Sequence, residues 1–260
     1  MESAISITGQ ADFVQDREYV LQPFKSGSKQ PGYQAGYDAL SGLRAGSYLT
    51  DKGLLFQVVD RIWVSAQGEI GGLGLKVLSL TDFSLNGTMK PALSRQGFSL
   101  AWITLSDKGA SGQRMDESGP LIEELCFDAL KISLARGFMI PDHPRLLRSL
   151  LEQLCLMSGF DLVLTTGGTG VGPRDFTPEV TRGLVDRSLP GFERAMLNAS
   201  LAKTPHAVIS RAAAGTLDLS LVINLPGSPK GVQENFQAIA PALNHTLKKL
   251  QGDQSDCASG

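Results

Sequence analysis

The spacing of apolar residues changes character near residue 95. Upstream, short apolar runs are broken by Gly, Ser and Asp, the punctuation of strands and tight turns. Residues 54–59 (LLFQVV), 62–64 (IWV) and 73–80 (LGLKVLSL) read as strands, with turns at 51–53 (DKG) and 71–72 (GG). Residues 24–36 carry no periodic face and read as a loop. Residues 1–95 are therefore expected to form a small, mostly β module. Its acids and bases balance, and it gathers no cluster of His, Cys or paired carboxylates, so no chemistry is legible in it.

From residue 97 onward, apolar runs of strand length alternate with apolar residues at helical spacing. Residues 98–105 (FSLAWITL) read as a strand, followed by a polar loop over 106–119. Pro120 suits the first turn of a helix. That helix is expected to carry Leu121, Ile122, Leu125, Leu130 and Leu134 and to end at Gly137. Residues 138–140 read as a short strand stopped by Pro141, and 145–157 as a second helix with a leucine face. Residues 161–166 form a third strand that runs into a glycine-rich loop, and a helix starts at 177–179 (TPE). Residues 219–225 are a further strand, and 232–250 the last helix. This alternation predicts an α/β domain over 97–252 with a doubly wound, mostly parallel sheet. Such sheets bind ligands at the carboxyl ends of their strands. The polar tail over 253–260 is expected to be disordered.

Composition narrows the classes. Of 260 residues, 42% are apolar and 19% charged, which suits a soluble globular protein. Lys and Arg number 24 against 26 Asp and Glu, so the basic excess of a nucleic-acid or anionic-membrane binder is missing. No run of ~18 apolar residues offers a transmembrane helix, and the first residues lack the basic and apolar stretches of a secretory signal. Cys126, Cys155 and Cys257 are few and far apart, which argues against a disulfide framework or a Cys-rich zinc site and suits a reducing cytoplasm.

The candidate chemistry follows the strands. The run from Thr165 and Thr166 through Gly167, Gly168, Thr169 and Gly170 to Asp175 is not a Walker loop, because Pro173 stands where the Walker Lys belongs, and not a dinucleotide fingerprint, because its glycines are spaced G-x-G-x-G. It serves either as a tight turn or as a set of backbone N–H donors for phosphate. The loop at 106–112 (SDKGASG) reads as a solvated loop or as an anion-binding helix entry. Ser228, in the turn before the last helix, caps that helix alone or also touches ligand. Asp142 and Asp175 each stand beyond a strand end, as caps or as holders of Mg²⁺ shared with substrate phosphates. His206 and His245 lie outside these loops and read as structural or solvent-facing.

The stretches ITLSDKGASG (103–112), IPD (140–142), LTTGGTGVGPRDFTPE (164–179), SLAKTPHAVISRAAAG (200–215) and INLPGSPK (223–230) resemble, in family order, the molybdopterin-binding fold. They are similar to the molybdopterin adenylyltransferases of molybdenum cofactor biosynthesis, over about residues 97–252. The resemblance implies a homotrimer that transfers AMP from ATP to the terminal phosphate of molybdopterin and releases pyrophosphate, with Mg²⁺ as cofactor. It implies contact with other enzymes of the same route. By motif position it assigns the functional aspartates to Asp142 and Asp175, as catalytic and metal-binding residues. It assigns the pterin phosphate to Thr165–Gly170, and the pocket wall to Ser106 and Ser228. His143 follows Asp142 where the family usually carries an acid. Residues 1–95 have no counterpart in single-domain members. A non-catalytic molybdopterin-binding module, a scaffold in which 1–95 docks to a partner enzyme, and use of another nucleotide all stay open.

Overall fold

The computed structural model describes residues 5–23, 31–35, 40, 42–65 and 71–253. The first part of the expected loop at 24–36, the tail from 254 and Cys257 lie outside the described residues. The chain divides into two compact units, Met1–Gly97 with Met157–Gly159, and Phe98–Leu156 with Phe160–Gly260. Among the described residues no helix is long and apolar enough to cross a membrane.

The first unit is built from β1 (Ile5–Phe13), β2 (Glu18–Pro23), β3 (Gly32–Ala35), β4 (Ser47–Thr50), β5 (Leu54–Val64), β6 (Gly72–Ser79), β7 (Phe83–Met89) and β8 (Ala92–Arg95). They form one eight-stranded sheet in the order β7-β1-β3-β2-β6-β5-β4-β8, in which only the β2–β3 pair is parallel. Phe13 anchors its core, with the rings of Tyr19, Phe56 and Phe83 at centroid distances of 4.9, 4.8 and 4.9 Å. The two strands expected at 54–59 and 62–64 are one continuous β5. The register slips between Val58 and Asp60, and that bulge puts charged Asp60-Arg61 where the sequence pattern suggests a break. Residues 32–35, expected as loop, are strand β3.

The second unit carries β9 (Phe98–Leu105), β10 (Ile132–Ile140), β11 (Leu162–Thr166), β12 (Arg187–Ser188), β13 (Ala214–Leu217) and β14 (Ser220–Leu225). Its helices are α1 (Asp107–Ala110), α2 (Ser118–Ala129), α3 (Pro144–Glu152), α4 (Thr177–Arg182), α5 (Pro190–Leu201) and α6 (Pro229–Leu250). The sheet order is β10-β9-β11-β14-β13-β12. The first four strands run parallel, while β13 and β12 are antiparallel additions. The α/β expectation holds, and the sheet is mixed rather than doubly wound and parallel throughout. The cause is local: Asp218, at φ +52, turns the chain directly from β13 into β14, and a turn that short can only join antiparallel strands.

Every residue of β9, β11 and β14 is buried, as expected of strands covered on both faces. The helix after Pro120 ends at Ala129, not at Gly137, and residues 132–140 form a full edge strand. Leu130, Ile132 and Leu134 alternate at period two, and Leu130 already has extended backbone at φ −137.

Trp102 of β9 is only 9% exposed, and two glycines make room for its indole. A methyl group at Gly137 of β10, or at Gly119 of α2, would overlap the ring. Gly137→Ala is therefore expected to cost roughly 1–3 kcal/mol of stability through overpacking. It should also shift the emission of Trp102, read in a Trp63→Phe background that silences the 73% exposed Trp63. Unchanged urea unfolding and unchanged emission would refute this packing account.

Candidate functional site at the carboxyl edge of the sheet

Because β9, β10, β11 and β14 are parallel, their carboxyl ends share one edge of the sheet. The segments that follow hold most of the candidate residues: Ser106 after β9, Asp142 after β10, Gly167 to Asp175 after β11 and Ser228 after β14, while Thr165 and Thr166 end β11 itself. Two of them are helix caps. Ser106 Oγ accepts from the Gly109 amide at 3.0 Å, and Ser228 Oγ accepts from the Gly231 amide at 3.1 Å. Both serines also line clefts.

The first cleft, of about 90 Å³, is lined by Thr104, Ser106, Arg114, Asp116, Met139 and Thr166, among others. The second, of about 360 Å³, opens over Thr169 and Gly170, with Lys203, His206, Ser210 and Lys230 around it. Its lining joins the loop after β11 to the N-terminus of the long helix α6, where the helix dipole favours negative charge.

The glycine loop turns on two left-handed residues, Gly167 at φ +103 and Gly168 at φ +64. A Cβ at Gly167 would lie 2.7 Å from the Leu105 carbonyl oxygen, and one at Gly168 would strike the Thr177 hydroxyl. The loop's carbonyls face protein donors: those of Gly167 and Gly168 accept from Thr177, and those of Thr169 and Gly170 from Arg211. Among the described residues, the amides of Gly168, Thr169 and Gly170 meet no protein acceptor. The threonines divide by position. Thr165 Oγ1 is buried and accepts from Asn224 Nδ2 at 3.0 Å, and Thr166 Oγ1 donates to the Pro226 carbonyl at 2.7 Å. These two hydroxyls brace the strand ends, whereas Thr169 lines the second cleft.

Asp142 and Asp175 come into mutual electrostatic range together with Asp107, an acid that the sequence patterns did not mark. The Asp142 amide donates to Asp107 Oδ1 at 2.9 Å, and Arg174 Nη1 pairs with Asp107 Oδ2 at 2.6 Å. Asp107 thus ties together the segments after β9, β10 and β11. Asp175 accepts at Oδ2 from the Gly172 amide at 2.7 Å. Burial pushes the Asp142 carboxyl above its usual range. The neighbouring charges of Asp107 and Asp175 push in the same direction, against a hydrogen bond from the Asp107 backbone and the charge of Arg174. Neither Asp142 nor Asp175 lines the two clefts. Ser106 of the first precedes Asp107, and Gly170 of the second lies against the Asp175 carboxylate. Asp116 was also missed. It accepts from Thr104 Oγ1 at 2.7 Å and from the Ser118 and Gly119 amides at 3.1 and 2.9 Å. Its signal was an Asp two residues ahead of the Ser118-Gly119-Pro120 helix start, a capping pattern.

Among the described residues no group of three or more His, Cys, Asp and Glu side chains could hold a metal ion by itself. The donor set nevertheless fits Mg²⁺, which takes one or two carboxylates and completes its octahedron with water and substrate phosphates. The crowding of negative charge around Asp142 also favours a cation beside it.

The unit that carries this site resembles known proteins. The family described as "Probable molybdopterin binding domain" matches residues 101–245. The molybdopterin adenylyltransferase of Helicobacter pylori strain J99 is 37% identical over 152 residues, covering 58% of this chain and 86% of that protein. Gephyrin of Dictyostelium discoideum is 38% identical over 154 residues, and the match spans only 21% of its length. The crystal structure of the molybdopterin biosynthesis enzyme MoaB from Thermus thermophilus aligns with TM-score 0.55 at 40% identity, over 60% of this chain and 98% of that one.

The raised pKa of Asp142 has a consequence for stability. The native state holds the proton more tightly than the unfolded chain, so stability is lost as pH rises from the unfolded value through the raised one. Asp142→Asn removes the charge and keeps the shape. It should melt at a higher temperature than wild type at neutral pH, and the gap should close as pH falls to about 4, near the unperturbed carboxylate value. Superimposable melting curves across this range would show that Asp142 carries no charge burden.

Proposed function

This chain belongs to the molybdopterin adenylyltransferase family of molybdopterin-binding domains, and from that premise we propose that its α/β unit transfers AMP from ATP to the terminal phosphate of molybdopterin. The observation that carries the proposal is the run of amides at Gly168, Thr169 and Gly170 that meet no acceptor among the described residues, in a loop whose Thr169 and Gly170 line a cleft with Lys203, Lys230 and Glu234 and whose Gly170 lies against Asp175. The pterin phosphate docks on these amides. A phosphate oxygen attacks the α-phosphorus of ATP, the new P–O bond forms, and pyrophosphate departs with the electrons of the broken P–O bond. A phosphate monoester is already nucleophilic near neutral pH, so no strong general base is required. Catalysis is then mainly positioning and electrostatics.

Asp142 and Asp175 would hold Mg²⁺ together with ATP phosphates. When bound, the ion masks charge on the nucleotide and stabilises the leaving pyrophosphate. Asp107 keeps Asp142 in place through its amide, and Arg174 neutralises Asp107 so that three acids can stand close together. Thr165 and Thr166 support the strand ends below the cradle. The homotrimer belongs to the same proposal.

The reading predicts release of pyrophosphate from ATP and Mg²⁺ only when molybdopterin is present. Asp175→Asn should retain pterin binding and lose turnover by about 100-fold, the scale of removing one preorganised electrostatic group. Near-normal AMP transfer by that variant would take Asp175 out of the mechanism. A wild-type protein that binds molybdopterin tightly and releases no pyrophosphate would instead be a binding module.

A further inference from the structure

We propose that Arg211 is the positioning residue that aims the Gly170 and Val171 amides of the glycine loop and Asp175 together, acting through backbone carbonyls without touching substrate. The proposal rests on reading the glycine loop as a phosphate cradle. It comes from the planar, trans geometry of the peptide unit. In such a unit the carbonyl of one residue and the amide of the next point in opposite directions. Whatever binds a carbonyl on the inner side therefore aims the following N–H outward.

Two residues do this aiming, and they divide the loop between them. Thr177 holds the Gly167 carbonyl with Oγ1 at 2.9 Å and the Gly168 carbonyl with its amide at 3.1 Å, which turns out the amides of Gly168 and Thr169. Arg211 holds the Thr169 carbonyl with its own amide at 3.1 Å and the Gly170 carbonyl with Nε at 2.6 Å, which turns out the amides of Gly170 and Val171. The same guanidinium reaches past the loop. Its Nη2 donates to the Asp175 carbonyl at 2.7 Å, and its Nη1 pairs with Glu179 in the first turn of α4. The main-chain amide of Arg211 thus sets the Gly170 amide, and its side chain sets the Val171 amide and the backbone of the acid that flanks the loop. Only a planar fork of several donors can make these side-chain contacts. A lysine ammonium is a single point and cannot reproduce the spacing.

The division makes the proposal testable residue by residue. In the wild-type protein, inorganic phosphate followed by amide NMR should perturb Gly168, Thr169, Gly170 and Val171. In Arg211→Lys the response of Val171, aimed by the guanidinium, should disappear, while those of Gly168 and Thr169, aimed by Thr177, and of Gly170, aimed by the main-chain amide of residue 211, persist. Turnover with molybdopterin and ATP should fall roughly 10- to 100-fold, the cost of a small misplacement. In Arg211→Ala, millimolar guanidinium should restore part of it. Glu179→Gln, which removes the ion pair and leaves the carbonyl contacts, should keep all four responses.

A full set of responses and normal turnover in Arg211→Lys would overturn the proposal. So would loss of all four responses together with cooperative unfolding, or a Glu179→Gln variant that copies Arg211→Lys. Wild-type amides that ignore phosphate would overturn it as well. A wild-type loop that responds to phosphate in a protein that releases no pyrophosphate would refute AMP transfer and leave the clamp standing.

Discussion

The rigidity of the peptide plane is the constraint on which the site depends. A loop of small residues has no side chains with which to grip an anion, so its N–H groups must do the work, and an N–H group has no freedom of its own. After β11 that direction is set from behind. Four consecutive carbonyls, from Gly167 to Gly170, are each bound on the protein side. The glycines allow the backbone to make the turn, but they do not choose which way it faces. Thr177 and Arg211 make that choice, and they can do so because α4 begins at Thr177 and the approach to β13 brings Arg211 beneath the loop. The buried strands β9, β11 and β14 supply a fixed edge from which this geometry is measured.

Much of the second unit was legible because its central strands are covered on both faces, and such strands appear as unbroken apolar runs. Residues 98–105 and 161–166 fall into this class, and so does 219–225, each within a residue of the observed strand. The edge of the sheet was harder. Strand β10 is half-buried through most of its length, and its alternating residues were partly absorbed into the preceding helix. Helix α5 and the β13 strand gave no periodic signal of their own, and without them the antiparallel margin of the sheet could not be foreseen. In the first unit, polar residues interrupt most strands. Only β5 and β6 carried enough consecutive apolar positions to be recognised.

The candidate site was legible as a set of loops and less so as a set of roles. The Thr-Thr-Gly-Gly-Thr-Gly run looks like one unit in the sequence, yet its threonines do different things. Thr165 and Thr166 are the last residues of a buried strand and bond to the neighbouring strand and its turn, while Thr169 lies beyond the two left-handed glycines and reaches the cleft. Two of the missed residues, Asp107 and Arg211, have partners remote in sequence. Asp107 acts through residues 35 and 67 positions away, and Arg211 through a carbonyl 36 positions away. No local pattern encodes such pairings. They exist only once parallel strands have brought their exits to one edge.

The charge distribution along that edge explains why two opposed requirements can be met side by side. A phosphate cradle needs donors and positive charge, which the amides of the glycine loop, Lys203 and Lys230 supply. A cation-holding cluster needs acids in close proximity, which here raises the cost of ionising Asp142. Placed without a buffer, the acids would repel the phosphate that the amides attract. The loop separates the two by using both of its faces. Arg211 occupies the inner face and binds only carbonyls and Glu179, leaving the outer amides unpaired. Asp175 spends one carboxylate oxygen on the Gly172 amide, and Arg174 neutralises Asp107. In the proposed reaction, anion and cation would meet over the same few residues, as a reaction between two phosphorylated substrates requires.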